Sequence, residues 1–308
     1  MSQALGRFAP TPSGRLHLGN LFCFLLAWLS AKAEGGEVLL RIEDLDIVRS
    51  RREYIEKAAA DLQFLGMDWD LGGTDLLQSE RSAFYREQLE KLEALGLVYP
   101  CFCTRAQLHA ASAPHASDGE PVYDGRCREL APAEVEKLAK DRIPALRLKV
   151  NDEIITFTDG HYGPVTQNLA TECGDFILRR SDGIFAYQLA VVADDAAMGV
   201  TQVVRGRDLL SSTPRQLYLY RLLDLKAPAF YHTPLLLAPD GRRLSKRDGD
   251  LSLDSLRSRY TAPEIVGRLA YLAGLIDRPE ALVPAELVPH FSWEKVPKED
   301  ILLPLDLF

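Results

Sequence analysis

The sequence lacks the long apolar stretches of membrane proteins and secreted precursors. No apolar run reaches the ~18 residues that a membrane span requires, and the longest, residues 21–29, is typical of a buried helix. The first residues do not form a basic segment followed by an apolar one, so they do not resemble a secretory signal. With 308 residues, 47% of them hydrophobic, the chain has the composition of a globular protein with a substantial core.

Cysteine is also scarce, and its number is odd. Five cysteines are present, three of them between positions 101 and 127. Without a secretory context, this usage argues against a disulfide framework and indicates a reducing cytoplasm and a metal site. We expect the other two, Cys23 and Cys173, to be ordinary core residues.

Positive charge is in deficit, since the formal net charge is −8. This balance argues against a nonspecific nucleic-acid-binding protein, but it does not exclude tRNA, because docking depends on local patches. Basic residues do concentrate in one part of the chain: Arg205, Arg207, Arg215, Arg242, Arg243, Lys246 and Arg247.

The order of the predicted elements indicates an α/β fold with a parallel sheet. A strand at 7–9, a helix from 18 to 33 and a strand at 37–42 form a predicted βαβ unit. Ligands of such folds bind beyond the carboxyl ends of the strands, where residues 10–20 and 43–46 lie.

We expect an insertion to interrupt this α/β body. Residues 1–96 and 191–240 are the predicted halves of a catalytic domain, and 97–190 is a mixed α/β insertion that contains the cysteine cluster. Residues 241–308 begin with a polar loop and continue as a short helical region that packs on the body.

Several strands are predicted outside the first unit. Residues 145–150 and 153–158 are predicted to pair with each other, and 176–180 and 184–189 to flank a turn. A further strand at 233–238 is predicted to belong to the parallel sheet.

The HLGN motif, residues 17–20, begins the first predicted helix. The free N–H groups and the partial positive charge of a helix N-terminus can hold a phosphate, and the imidazole of His17 adds a hydrogen-bond donor. Gly19 allows a nucleotide to approach the backbone. A histidine in this position is otherwise a common packing residue, so the motif needs a second signal.

The RLSKR motif, residues 243–247, supplies that signal near the other end of the chain. Lys246 lies in a polar segment suited to a mobile loop, from which a lysine can neutralise the charge that develops on a departing pyrophosphate. Strings of this kind are common at protein surfaces, so the motif is informative only together with the HLGN motif.

Four further segments make the pattern specific: residues 7–14, 41–46, 187–188 and 204–209. In this order, the whole set resembles the catalytic half of the glutamyl-tRNA synthetases, which are class I aminoacyl-tRNA synthetases with a Rossmann-like catalytic domain. Because little sequence follows the RLSKR motif, the resemblance is strongest to a truncated branch without an anticodon-binding domain. That branch attaches glutamate to queuosine in the anticodon of tRNA(Asp). Leu45 stands where the family often has threonine, and the ends of the RLSKR motif also differ from the sequence usual in the family. Neither difference removes a functional group.

The resemblance implies a role for each motif residue. Glutamate would contact Arg7, Phe8, Ala9, Pro10, Thr11, Glu43, Tyr187 and Arg205. ATP, with Mg²⁺ on its phosphates, would contact His17, Gly19, Asn20 and Lys246, of which His17 and Lys246 would be catalytic. Physical chemistry agrees, because glutamate has two carboxylates that suit arginine and one ammonium that suits Glu43.

Cys101, Cys103 and Cys127 offer three soft ligands, whereas structural zinc prefers four in a tetrahedron. From the residues alone, His109 or His115 is a candidate for the fourth position, and the alternative is three unrelated buried cysteines. The resemblance points instead to Tyr123, whose phenol would have to ionise beside the dication.

We therefore expect a cytoplasmic, monomeric ligase that binds no membrane, contains one structural zinc ion and transfers glutamate to tRNA(Asp). One alternative is an ordinary glutamyl-tRNA synthetase fragment that charges the 3′ end of tRNA(Glu). Another is a catalytically silent zinc module that only binds tRNA. The presence of His17, Glu43, Arg205 and Lys246 argues against the silent module.

Overall fold

The protein is described by a computed structural model that covers residues 3–104, 107, 122–242, 244, 251–304 and 306–308. Its centre is a parallel sheet in the order β1-β2-β3. The strands are β1 (Leu5–Phe8), β2 (Glu37–Ile42) and β3 (Leu71–Leu77). Leu5 lies opposite Glu37, so β1 and β2 reach their carboxyl ends at the same edge. The predicted parallel α/β body is confirmed.

A second parallel pair, β9 (Gln202–Gly206) and β10 (Ala229–Thr233), lies on the other side of β1. The Thr201 N–H donates to the Leu5 carbonyl at 3.0 Å, which sets the start of β9 level with β1. The predicted strand at 233–238 is wrong in its bounds. Pro234 has no N–H for a ladder, so β10 ends at Thr233.

Helix α1 (Leu18–Ala33) connects β1 to β2, as predicted, and is apolar around most of its circumference. Leu21, Leu25 and Leu29 are fully buried, because the helix packs between the parallel strands and the carboxyl-terminal helices. Two amphipathic helices follow, α2 (Arg52–Phe64) and α3 (Ser82–Ala94).

The segment after α3 forms two antiparallel units. One has the order β4-β5-β8, with β4 (Val98–Cys101), β5 (Ala145–Leu148) and β8 (Phe176–Arg179). The other is a hairpin of β6 (Ile154–Asp159) and β7 (Gly163–Asn168), followed by a π-helical turn at Leu169–Cys173. The predicted pairing of 145–150 with 153–158 is therefore wrong, because β4 and β8 occupy both edges of β5.

The predicted strand at 184–189 is also wrong in part. Phe185 makes one isolated bridge to Arg179, after which the chain enters helix α5 (Tyr187–Ala197). The remaining helices are α4 (Pro132–Asp141), α6 (Thr213–Leu222), α7 (Leu253–Arg257), α8 (Ala262–Leu272) and α9 (Pro284–Leu287).

Near the end of the chain, β12 (Ile301–Leu302) pairs with β11 (Leu236–Leu237), and Leu303 and Leu307 are buried in the core. Among the residues that the structure describes, no helix is long and apolar enough to cross a membrane.

Candidate active site

A cavity of about 500 Å³ opens beyond the carboxyl ends of the parallel strands. Most of the predicted substrate-binding residues line it, although they come from distant parts of the sequence: Arg7, Ala9, Thr11, His17, Gly19, Asn20, Glu43, Tyr187 and Arg205. Leu244 of the RLSKR motif lines the same cavity. The one described residue of the RLSKR motif thus lies at the same cavity as the HLGN motif.

Two predicted residues that the structure describes do not line the cavity. Phe8 is fully buried in the core, where its ring meets that of Phe24 with the centroids 5.4 Å apart. Pro10 is buried, and its carbonyl accepts a hydrogen bond from the Glu43 N–H at 3.0 Å, which fixes the start of the loop after β2. Lys246 lies outside the described residues.

Arg205 projects from β9 into the cavity wall and is held on several sides. Its Nη2 donates to Thr213 Oγ1 at 2.8 Å and its Nε donates to His232 Nε2 at 3.1 Å. Its Nη1 lies 3.5 Å from the Tyr187 hydroxyl. With only 4% of its surface exposed, the guanidinium is preorganised at a fixed place in the pocket.

His232 can accept from Arg205 because the imidazole is neutral. The side chain is fully buried, and burial lowers the pKa of His232 to about 4. Its Nδ1 donates to Asp159 Oδ2 at 2.6 Å, which leaves Nε2 as the acceptor. Asp159 Oδ1 in turn accepts from the backbone N–H groups of His161, Tyr162 and His232.

A second buried network sets the opposite wall. Arg41 donates from Nη1 to Asp195 Oδ1 at 2.7 Å and lies 3.4 Å from Glu43 Oε1 through Nη2. Arg7 donates to the Val204 carbonyl at 3.1 Å, and its Nε lies 3.6 Å from Asp195 Oδ2. Burial raises the pKa of Glu43, although the charges of Arg41 and Arg7 oppose that rise.

His17 is the residue that precedes α1, where its N–H donates to Asn20 Oδ1 at 3.1 Å. Gly19 leaves room for the imidazole, since a Cβ at position 19 would lie 3.2 Å from two atoms of the His17 ring. The glycine therefore has a packing role that the sequence did not reveal.

The chain that follows the RLSKR motif is held beside α1. His17 forms a bridge with Ser252, and Asp254 pairs with both Arg15 and Lys57 at 2.5 Å. Leu244 lies in the cavity wall, and Ser252 contacts His17 through this bridge. Described residues before and after positions 245–250 thus lie in the cavity wall or contact a residue that lines it.

The three clustered cysteines form a separate site in the antiparallel unit. The Sγ atoms of Cys101, Cys103 and Cys127 lie within 4.8 Å of one another, and those of Cys103 and Cys127 are 3.6 Å apart. The Tyr123 hydroxyl lies 3.6 Å from both Cys101 Sγ and Cys103 Sγ. Sulfurs of a tetrahedral zinc site are ~3.8 Å apart for Zn–S bonds of about 2.3 Å, so the spacing suits a metal ion. The other candidates, His109 and His115, lie outside the described residues.

Sequence reasoning missed the residues that support the pocket from behind. Asp194 and Asp195 are both buried in α5, and His232 is buried in β10. The adjacent acids in the apolar segment 189–198 were a usable signal, because buried carboxylates need cationic partners. His232 gave no comparable signal. Cys23, expected in the core, is only partly buried and lines the cavity.

Comparisons with known proteins agree with this geometry. The family model for the catalytic domain of class I tRNA synthetases (E and Q) matches residues 4–281. The chain is 52% identical to the glutamyl-Q tRNA(Asp) synthetase of Symbiobacterium thermophilum, and the match covers 98% of this chain and 96% of that protein. It is 49% identical to the protein of the same name from Nitratidesulfovibrio vulgaris, with the same coverage.

A solved structure is similar over almost the whole chain. It is the crystal structure of a glutamate tRNA ligase from Elizabethkingia meningosepticum in complex with its amino acid. The two superpose with a TM-score of 0.84 at 29% identity, over 99% of this chain and 68% of that one.

Proposed function

The chain belongs to the catalytic-domain family of class I tRNA synthetases for glutamate and glutamine, and on this premise we propose that its cavity activates L-glutamate with ATP and that the enzyme transfers the glutamyl group to queuosine in the anticodon of tRNA(Asp). The protein is an aminoacyl-tRNA synthetase-like ligase, which converts ATP to AMP and pyrophosphate.

The charge pattern of the cavity carries the proposal for glutamate. Arg7 and Arg205 project from neighbouring strands, and Glu43 lines the same cavity within the network of Arg41 and Arg7. Two buried guanidinium groups match two carboxylates, and one carboxylate matches one ammonium. Arg205 and Tyr187 bind one carboxylate of the substrate, Arg7 binds the other, and Glu43 binds the α-ammonium. Ala9 and Thr11 contact the substrate backbone.

ATP occupies the end of the cavity near the start of α1. His17, Gly19 and Asn20 face its phosphates, where the helix N-terminus favours negative charge. We assign Lys246 of the RLSKR motif to the same phosphates. Mg²⁺ accompanies the ATP phosphates and reduces their charge.

Catalysis then depends on position and electrostatics. The glutamate carboxylate attacks the α-phosphate in line, and the bond to pyrophosphate breaks while His17 and Lys246 stabilise the departing charge. A queuosine hydroxyl next attacks the glutamyl carbonyl carbon. The ester forms, the bond to AMP breaks, and the hydroxyl proton leaves with the AMP phosphate.

The cysteine cluster holds one zinc ion through Cys101, Cys103, Cys127 and Tyr123. A closed set of four protein ligands is typical of structural zinc, which would fix the strand β4 relative to the segment around residue 127. We further propose that the enzyme acts as a monomer in the cytoplasm, where ATP and tRNA are available.

Two assays test this function. Purified protein should exchange pyrophosphate into ATP with L-glutamate and no tRNA. Exchange should be far lower with glutamine, because its amide would leave a buried guanidinium unpaired. It should also be far lower with aspartate, whose carboxylate is one methylene closer to the backbone. Glutamate should then be incorporated into queuosine-modified tRNA(Asp), including tRNA from which the 3′-terminal adenosine has been removed. Equal exchange with glutamine would disprove the pocket assignment.

A second candidate function is 3′ charging of tRNA(Glu). The TM-score of 0.84 to a glutamate tRNA ligase favours this alternative, because the catalytic fold is shared. The same charging assay separates the two functions, since removal of the 3′-terminal adenosine abolishes ordinary charging and leaves the queuosine diol intact.

A further inference from the structure

A second cavity, of about 580 Å³, lies beside the candidate active site. Asp208 and Leu235 line both cavities, so the two spaces adjoin. One wall consists of β7 and the π-helical turn that follows it, and the opposite wall comes from segments 207–214 and 235–241. The cavity is therefore formed where the β6–β7 hairpin faces the catalytic body.

Among the described residues of these walls, carboxylates outnumber guanidinium groups. Glu172, Asp208 and Asp300 contribute carboxylates, and Arg207 contributes one guanidinium. Arg207 is already bound to Asp300 by two parallel hydrogen bonds, Nε to Oδ1 at 2.6 Å and Nη2 to Oδ2 at 2.7 Å. A phosphate would be repelled from this space, whereas a cation or a neutral hydroxyl group would be accepted.

Gln167 gives an independent indication of a ligand. The residue is 5% exposed and lines the cavity, yet its buried Oε1 has no hydrogen-bond partner among the described residues. A buried polar atom without a partner costs free energy that a ligand donor would recover. Thr166 and Ser211 add hydroxyl groups to the same walls.

We propose that this cavity binds the modified base of the acceptor nucleotide, and that Glu172 pairs with the secondary ammonium group that joins the queuosine base to its cyclopentene diol. The proposal rests on the function proposed above. Gln167 accepts from a hydroxyl or N–H group of the same base. The diol reaches the glutamyl-adenylate where the two cavities meet at Asp208 and Leu235, and the acidic walls keep the tRNA phosphates outside.

The test is Glu172→Gln, which removes the charge and keeps the local structure. Glu172 Oε1 accepts from the Asn168 N–H at 2.7 Å, and a glutamine oxygen can accept the same bond. Glutamate-dependent pyrophosphate exchange should be unchanged. The KM for queuosine-modified tRNA(Asp) should rise about fivefold, which corresponds to ~1 kcal/mol for a solvent-accessible ion pair. Glu90→Gln, an exposed site on α3, is the matched control and should leave this KM unchanged.

Binding of unmodified tRNA(Asp) separates recognition from structure. Unmodified tRNA lacks the ammonium, so its affinity, measured by filter binding, should be the same for Glu172→Gln and wild type. An equal loss for both tRNAs, or a wild-type KM for the modified tRNA, would overturn the proposal. If wild-type protein exchanges pyrophosphate but never glutamylates modified tRNA(Asp), the proposed acceptor is wrong instead.

Discussion

Asp159→Asn tests whether the glutamate pocket depends on a residue that cannot touch the substrate. The carboxylate accepts the Nδ1 proton of His232 at 2.6 Å, and this bond makes Nε2 the acceptor for Arg205. In the asparagine variant, the amide oxygen can still accept from backbone N–H groups, but its NH₂ group then faces His232. The imidazole must move its proton to Nε2, where a donor would oppose the donor of Arg205.

The size of the effect follows from the bond that is lost. A hydrogen bond to a charged group contributes roughly 1.5–3 kcal/mol, and each 1.4 kcal/mol changes an equilibrium about tenfold. The KM for glutamate should therefore rise about 10- to 100-fold in pyrophosphate exchange, while the KM for ATP stays near wild type. Asp141→Asn, an exposed site at the end of α4, is the matched control and should change neither value.

A double-mutant cycle identifies the path of the effect. His232→Phe removes the acceptor of Arg205 directly, so adding Asp159→Asn to it should raise the glutamate KM little further. Thermal unfolding of each variant shows whether the fold is retained. A folded Asp159→Asn variant with a wild-type glutamate KM would refute the reasoning, as would additive effects of the two substitutions.

Three other predictions concern the remaining site residues. His17→Ala and Lys246→Ala should each lower kcat for adenylate formation more than the affinity for glutamate, because both residues are proposed to act on charge that develops in the transition state. Rapid-quench measurements of adenylate formation check this. A variant that keeps the wild-type rate would show that the role proposed for its residue is wrong. Tyr123→Phe removes the proposed ligand oxygen and should weaken zinc retention during dialysis against a chelator, whereas His109→Ala should not. The reverse result would make His109 the fourth ligand in place of Tyr123. The kcat/KM for glutamate should fall with decreasing pH at values above the ordinary glutamate pKa of 4.5, because burial raises the pKa of Glu43 and the protonated acid no longer binds an ammonium. Glu43→Gln should remove this step in the pH profile and raise the KM at every pH, and an unchanged profile would contradict the role of Glu43.

Local patterns were sufficient to predict the parts of the fold that are determined locally. Helix α1 was predicted with its observed bounds. A long apolar segment between a loop with two prolines and a pair of glycines is compatible with few structures other than a buried helix. The pairing of β5 was not predictable in the same way. Its partners, β4 and β8, are far away in the sequence, and a nearby strand-like segment was the natural but wrong choice.

The same distinction applies to the candidate site. Motif residues such as His17 and Arg205 were predicted from the resemblance of their motifs, and both line the cavity. Asp159 and His232 were not found, since an acid at the end of a strand and a histidine within another are unremarkable until the fold brings them within 2.6 Å. Sequence separation of 73 residues hides that contact from any local pattern.

These supporting residues connect the two halves of the proposed reaction. Asp159 closes the β6–β7 hairpin by accepting backbone N–H groups of the turn, and through His232 it orients Arg205 in the glutamate pocket. The other end of that hairpin carries Gln167 and leads to Glu172, which line the second cavity. One hairpin thus supports the first cavity through His232 and lines the second directly. Its backbone therefore has to stay rigid for the amino acid and the acceptor to be correctly positioned relative to each other. Substitutions that loosen the turn should therefore impair activation and transfer together, whereas Glu172→Gln should impair transfer alone.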